Sequence, residues 1–229
     1  MIDNLSEPEV VRNINSKVKR YDLINWLIKA NKFEKYLEIG VFKGDNIRRI
    51  EIPHKDGVDP GAENYQVPEA NYAMTSDMFF EQCLPSVMYD IIFIDGLHHE
   101  EQVNKDIKNA LKHLNDSGYI LLHDCNPVSF DAQKIPRETS AWNGDVWRSI
   151  VRLRCTEPNL EVSVVDTDFG VGVVKRGRQE IYKDAPMEKC LEWEYFEANK
   201  TNILNLILPI EFKNKYVDIK KGNFFRKFF

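Results

Sequence analysis

The sequence predicts an α/β protein: a doubly wound, mostly parallel sheet that ends in an antiparallel hairpin. Three observations carry that expectation. Short apolar runs of strand length alternate with segments whose apolar residues recur at helical spacing. Two of the runs, IIFI (91–94) and YILL (119–122), are apolar or aromatic throughout, as strands covered on both faces of a parallel sheet require. The last two runs, Glu161 to Val165 and Gly170 to Lys175, are joined only by Asp166 to Phe169, the length of a hairpin turn.

The elements follow in order. Tyr21, Ile24, Leu27 and Ile28 place an amphipathic helix within Val18 to Lys32. Lys35 to Ile39 is a strand, Gly40 to Gly44 a turn, and Asp45 to Ile50 a helix. Lys55 to Val58 is the second strand, stopped by Asp59-Pro60. Gly61 to Ala70 reads as loop and Tyr72 to Thr75 as a third strand, with a helix opening at Ser76-Asp77. After the strand at 91–94, Val103, Ile107, Ala110, Leu111 and Leu114 form the core-facing stripe of a helix from Glu100 to Leu114. Ser117-Gly118 separates that helix from the strand Tyr119 to Leu122. A loop with Pro127 and Pro136 has the length of a functional lid, and Trp142 to Arg154 reads as helix. The domain organisation expected is one α/β domain over 1–185, N-terminal helices included. A helical tail with a basic-aromatic end, KKGNFFRKFF, fills 186–229; a helix packed on the domain with a frayed terminus is the plainer reading, and a membrane-surface or partner contact, a homo-oligomer included, the sharper one.

Composition narrows the function classes. The 229 residues suit one sizeable domain, and 43% hydrophobic content can fill a core. Lys and Arg total 31 against 36 Asp and Glu, a net charge of −5, which argues against nucleic acid as the partner. The polar N-terminus and the lack of an apolar run of about 20 residues lead to a cytoplasmic expectation. Cys83, Cys125, Cys155 and Cys190 lie far apart and read as reduced thiols.

The chemistry concentrates at strand ends. In EIGVFKGDN (38–46) a strand runs through two glycines, so a ligand can approach the backbone closely and the following helix can receive an anion. The third glycine of the dinucleotide fingerprint is missing. Asp59 ends the next strand, where an acidic side chain can bind both hydroxyls of a ribose. Asp95 and Asp124 end two further strands, and such a pair either shifts each other's pKa or shares a cation, for which Mg²⁺ is suited. His98, just past Asp95, is a candidate general base, with His99 and His123 as competitors. In the stretch 139–147, Trp142 and Trp147 could stack on a ring and Asn143 and Asp145 could bond hydroxyls, while Trp147 as core and Asn143-Gly144 as a turn is the plainer reading. Asp166 and Asp168, in the hairpin turn, read as solvated.

The order EIGxxxG, Asp59, Thr75-Ser76-Asp77, FIDGxHH and LLHD resembles the class I S-adenosylmethionine-dependent methyltransferases, in particular the metal-dependent O-methyltransferases of the catechol and macrolide-sugar type. The resemblance spans about Tyr36 to Asn126 and implies a seven-stranded Rossmann-like sheet. It implies that Glu38, Gly40, Gly44 and Asn46 surround the methionine end of S-adenosylmethionine, Asp59 the ribose, Ser76 and Asp77 the adenine, with Asp95 beside the cofactor. It further implies Asp95, Asp124 and Asn126 as ligands of Mg²⁺ or another divalent cation, and Asp95 and His98 as the catalytic pair. The catechol-type pattern has Asn directly after its second metal Asp, whereas here Cys125 intervenes, and a thiol is a poor Mg²⁺ ligand. The expected reaction is methyl transfer to a hydroxyl of a small polar acceptor. The alternatives are a non-catalytic nucleoside-binding module of the same fold and a metal-dependent hydrolase, which leaves the glycine turn and Asp59 unexplained.

Overall fold

The structure, a computed structural model, describes residues 16–61 and 67–218. Helix α1 (Arg20–Asn31) buries Leu23, Ile24, Leu27 and Ile28 and stops at Lys32 in a left-handed conformation. Strands β1 (Lys35–Ile39) and β2 (His54–Val58) pair in parallel. Then come α2 (Ser76–Gln82), β3 (Tyr89–Ile94), α3 (Glu100–Lys112), β4 (Leu114–Leu122), α4 (Trp147–Thr156), β5 (Leu160–Val165) and β6 (Val171–Arg176). The C-terminal part adds α5 (Met187–Cys190), α6 (Trp193–Ile203), β7 (Leu206–Ile207) and α7 (Pro209–Phe212).

One seven-stranded sheet results, in the order β2-β1-β3-β4-β6-β5-β7. β2, β1, β3 and β4 run parallel, and β6 is antiparallel to both β4 and β5. Strand alternation then builds a core on each face. Ile92, Ile94, Ile120 and Leu122 pack with Val103, Ile107, Trp147 and Phe196 from the helices. Ile91, Phe93, Tyr119 and Leu121 pack with Leu23, Ile24, Phe212 and Tyr216 on the other side.

Three expectations need correction. The helix expected over Asp45 to Ile50 is a single 3-10 turn, Ile47–Arg49, because residues 40–53 must also accommodate the glycine turn and Pro53 before β2 begins. The strand expected over Tyr72 to Thr75 reduces to one parallel bridge, Tyr72 to Val58. The seventh strand is instead β7, which pairs with β5 at the opposite edge. The helix α3 stops at Lys112, and β4 begins at Leu114 with a register irregularity before Tyr119. Residues 186–218 pack on the domain, as the plainer reading of this segment expects: Cys190, Phe196, Ile203, Leu204 and Phe212 are all 0% exposed. The basic-aromatic stretch from Lys220 lies outside the described residues.

Candidate active site

The parallel ladder continues to the strand tips: Gly40 N–H donates to Val58 O at 2.9 Å, Asp95 N–H to Ile39 O at 2.8 Å, and His123 N–H to Ile94 O at 3.0 Å. These bonds bring the ends of β1, β2, β3 and β4 onto one rim, where a cavity of about 770 Å³ opens. That volume lies within the range of small-molecule sites. Glu38, Gly40, Asn46, Asp59, Ser76, Asp77, Asp95, His98 and Asp124 all line it. Gly44 shapes the turn behind the lining, at φ 79°. Gly40, at φ 88°, is required for a close approach: a Cβ there would lie 2.2 Å from Asp95 O.

On one side of the cavity, Glu38 is fixed by the Tyr36 hydroxyl at 2.5 Å and the Asn46 amide at 2.8 Å. Burial raises its carboxyl to about 7, against those two hydrogen bonds. Among the described residues Asn46 Oδ1 is buried without a hydrogen-bond partner, so an ammonium group entering here would meet an acceptor and an acid together. Asp59 accepts the Phe42 and Gly61 amides, both at 2.7 Å. A carboxylate has about four lone-pair sites, which leaves capacity for ribose hydroxyls. Thr75 caps α2 through Met78 N–H, and Ser76 and Asp77 both accept from Gln102. These features fit the methionine, ribose and adenine parts of S-adenosylmethionine.

On the other side, two imidazoles stand between two carboxylates. His98 lies 3.3 Å from Asp95 Oδ1 and 3.3 Å from Asp124 Oδ2. His123 Nδ1 lies 3.2 Å and 3.1 Å from the same two oxygens. Burial opposes the positive charge on His123, but Asp124 and Asp95 outweigh it and hold its pKa well above the usual imidazole range. His98 is raised as well: burial works against it, and its contacts with Asp95 and Asp124 prevail. Burial alone would raise Asp95, yet His123, His98 and Arg20 bring it below the ordinary carboxylate range. Asp124 sits at φ 61°, a left-handed conformation uncommon for a residue with a side chain. The Asn143 amide holds its Oδ1 at 2.5 Å.

One ligand atom each from Asp95, His98 and Asp124 lies within 4.8 Å of the others, and the two carboxylates of this group fit a hard divalent cation. Asn126 does not join them. Cys125 and Asn126 donate their N–H groups to Gly170 O and Phe169 O, which ties this stretch to the hairpin and turns the Asn126 amide toward Asp166 Oδ1 at 3.5 Å. Asp166 and Asp168, expected as solvated, are each 5% exposed. Asp168 accepts Arg20 Nη1 at 2.9 Å and the Arg20 N–H at 3.2 Å. Arg20 then lines the cavity with its Nε 3.8 Å from Asp95 Oδ2. Sequence reading missed Arg20, because a basic residue opening a helix looks like any solvated charge. Trp142, expected in a helix, lies in the preceding loop and stacks on His98 at 5.2 Å. Trp147 is core, and Asp145 accepts the Glu100 N–H at the start of α3 rather than facing the cavity.

Comparison with known proteins places these features in a wider setting. A family model described as a methyltransferase domain matches residues 62–125, which include Asp95, His98 and Asp124. A protein provisionally described as a caffeoyl-CoA O-methyltransferase from Staphylococcus aureus superposes with a TM-score of 0.52 at 19% identity, over 70% of this chain and 85% of that one. That part of the chain thus resembles a methyltransferase domain, and the fold is shared with solved structures described as O-methyltransferases. TomG from Streptomyces achromogenes, an O-methyltransferase involved in tomaymycin synthesis and solved with its methyl donor, gives a TM-score of 0.50 at 14% identity, over 69% of this chain and 79% of that one. An uncharacterized protein, R132, of Acanthamoeba polyphaga mimivirus is 26% identical over 133 residues, 47% of this chain. The aligned region spans 60% of that relative's length. No helix among the described residues is long and apolar enough to cross a membrane.

Proposed function

We propose that the protein transfers the methyl group of S-adenosylmethionine to a hydroxyl oxygen of a small polar acceptor, such as a sugar or natural-product hydroxyl. One observation carries the reading: Glu38 and Asp59, suited to the donor, and Asp95, His98 and Asp124, suited to hydroxyl activation, line a single cavity. The carbon–sulfur bond breaks as the carbon–oxygen bond forms, the donor leaves as a neutral thioether, and the hydroxyl proton must go to the protein. Alignment of the two reactants is the main contribution, on the order of 7–11 kcal/mol at most.

His98 is the proton acceptor in this reading, because it faces the two carboxylates and stacks on Trp142, which fixes its ring. Its imidazole is a softer donor than Mg²⁺ prefers, which supports a base over a ligand. Asp95 and Asp124 would hold the divalent cation, Mg²⁺ being the expectation, and such an ion supplies an offset to their charge and acidity to a nearby hydroxyl. Asn143 holds Asp124 in place, and Arg20 keeps positive charge beside Asp95.

The test is S-adenosylhomocysteine release over pooled sugars and phenols, with donor affinity measured by calorimetry. Asp95→Asn and Asp124→Asn are expected to lower kcat by about 100-fold or more while changing donor affinity far less. Asp59→Ala is expected to weaken the donor first. Full turnover in both strand-tip variants overturns the metal-assisted reading, and donor binding without turnover of any acceptor favours the non-catalytic module.

A further inference from the structure

The loop over the acceptor side holds a guanidinium that the methyl-transfer reading does not use. Arg137 donates from Nε to Thr139 O at 2.9 Å and from Nη2 to Ser140 O at 2.7 Å. It lies 5.7 Å from the ring of Trp142, lines the cavity, and forms no ion pair among the described residues. Its loop is tied in place: Trp142 Nε1 donates to Lys134 O at 2.7 Å, and Asp145 N–H donates to the His98 carbonyl at 3.2 Å. Gly144 seals that anchor, since a Cβ there would fall 2.0 Å from His98 O. An oriented guanidinium thus stands one stacked ring away from the imidazole, 5.2 Å and 5.7 Å on either contact of Trp142.

We infer that the acceptor carries an oxyanion, a phosphate or carboxylate, bound by Arg137 while its hydroxyl points to His98. This rests on the methyl-transfer reading of the cavity. Two backbone carbonyls hold one edge of the guanidinium, leaving Nη1 and a second Nη2 hydrogen as the fork that an oxyanion takes bidentately. Preorganisation matters, because the ordering cost of the side chain is already met in the free protein. Arg137 reaches this cavity from the loop that carries Trp142, the ring stacked on His98.

Calorimetric titration of the full chain, with and without saturating S-adenosylhomocysteine, tests this with inorganic phosphate, glucose 6-phosphate, glucuronate and glucose as probes. The expected result is binding of glucose 6-phosphate, glucuronate or both about ten-fold or more tighter than glucose. Preference for one of the two identifies the source as phosphate or carboxylate. Inorganic phosphate is expected to compete with the preferred probe. Arg137→Gln should erase the preference, and Arg137→Lys should keep part of it. Equal binding of all probes, no binding of any anion, or a preference that survives in Arg137→Gln overturns the inference. Failure to bind S-adenosylhomocysteine would instead strike the methyl-transfer reading, while the titrations without it still report on Arg137.

Discussion

Glu38 shows how one buried side chain links stability to donor binding. Its carboxyl is raised to about 7 from an ordinary value of 4.5, so the folded state holds the proton more tightly than the unfolded chain. Stability is therefore full below about pH 4.5 and declines as pH rises to about 7, by on the order of 3 kcal/mol. Urea unfolding at about pH 5 and about pH 8 should show this decline in the wild type and a smaller one in Glu38→Gln. His98 and His123, also raised, lose stability at higher pH in both proteins, so the difference isolates Glu38. Equal declines would remove the buried-acid account. Asn143 offers a second residue-scale test: Asn143→Ala frees Asp124 Oδ1 and should cost about 1–3 kcal/mol, with kcat falling more than donor affinity. Unchanged thermal unfolding and unchanged kcat would show that Asp124 needs no such support. The strand-tip carboxylates and His98 were legible in the sequence because buried runs end at them. Arg20 and Asp168 were not, since their pairing spans 148 positions and local spacing has no view of it.

Among elements, the C-terminal part packs on the domain through both a helix and a strand. Helix α6 packs Phe196 against Trp147 with ring centroids 4.0 Å apart, and β7 adds an edge strand beside β5. Phe196→Ala should cost about 3–5 kcal/mol, and deletion from residue 186 onward should abolish cooperative unfolding. A truncated chain that melts like the full one would show that the domain ends at 185. A two-residue strand carries no alternation pattern, which is why no strand is expected from the sequence at β7. The long strands β3 and β4 and the helix α3 were legible because burial on two faces and a 3.6-residue stripe leave clear patterns. The helix expected after Gly44 failed on length alone, as residues 40–53 hold two turns and a proline besides the 3-10 turn. Gly40→Ala belongs to this scale as well. Its Cβ would strike the backbone of Asp95 and push β1 and β3 apart at their tips. Donor affinity should drop about ten-fold or more, while wild-type affinity in that variant would mean that the tips have slack.

For the whole molecule, the sheet does one thing above all: it carries four strand tips to one rim and so gives donor and acceptor chemistry a common opening. Carboxylates line the whole rim, from Glu38 and Asp59 to Asp95 and Asp124, and Arg20 and Arg137 bring positive charge to the same cavity. The fold class and the occupants of the rim were readable in sequence, as was the length of the lid loop, whereas the meeting of Arg137, Trp142 and His98 was not, because it rests on ring contacts rather than periodicity. The most direct measurement is a crystal structure of the protein soaked with S-adenosylhomocysteine. The expected map places the ribose on Asp59, the amino-acid end at Glu38 and Asn46, and the sulfur directed at Asp95 and His98. A ligand bound elsewhere, or one whose sulfur faces away from that pair, would contradict the account.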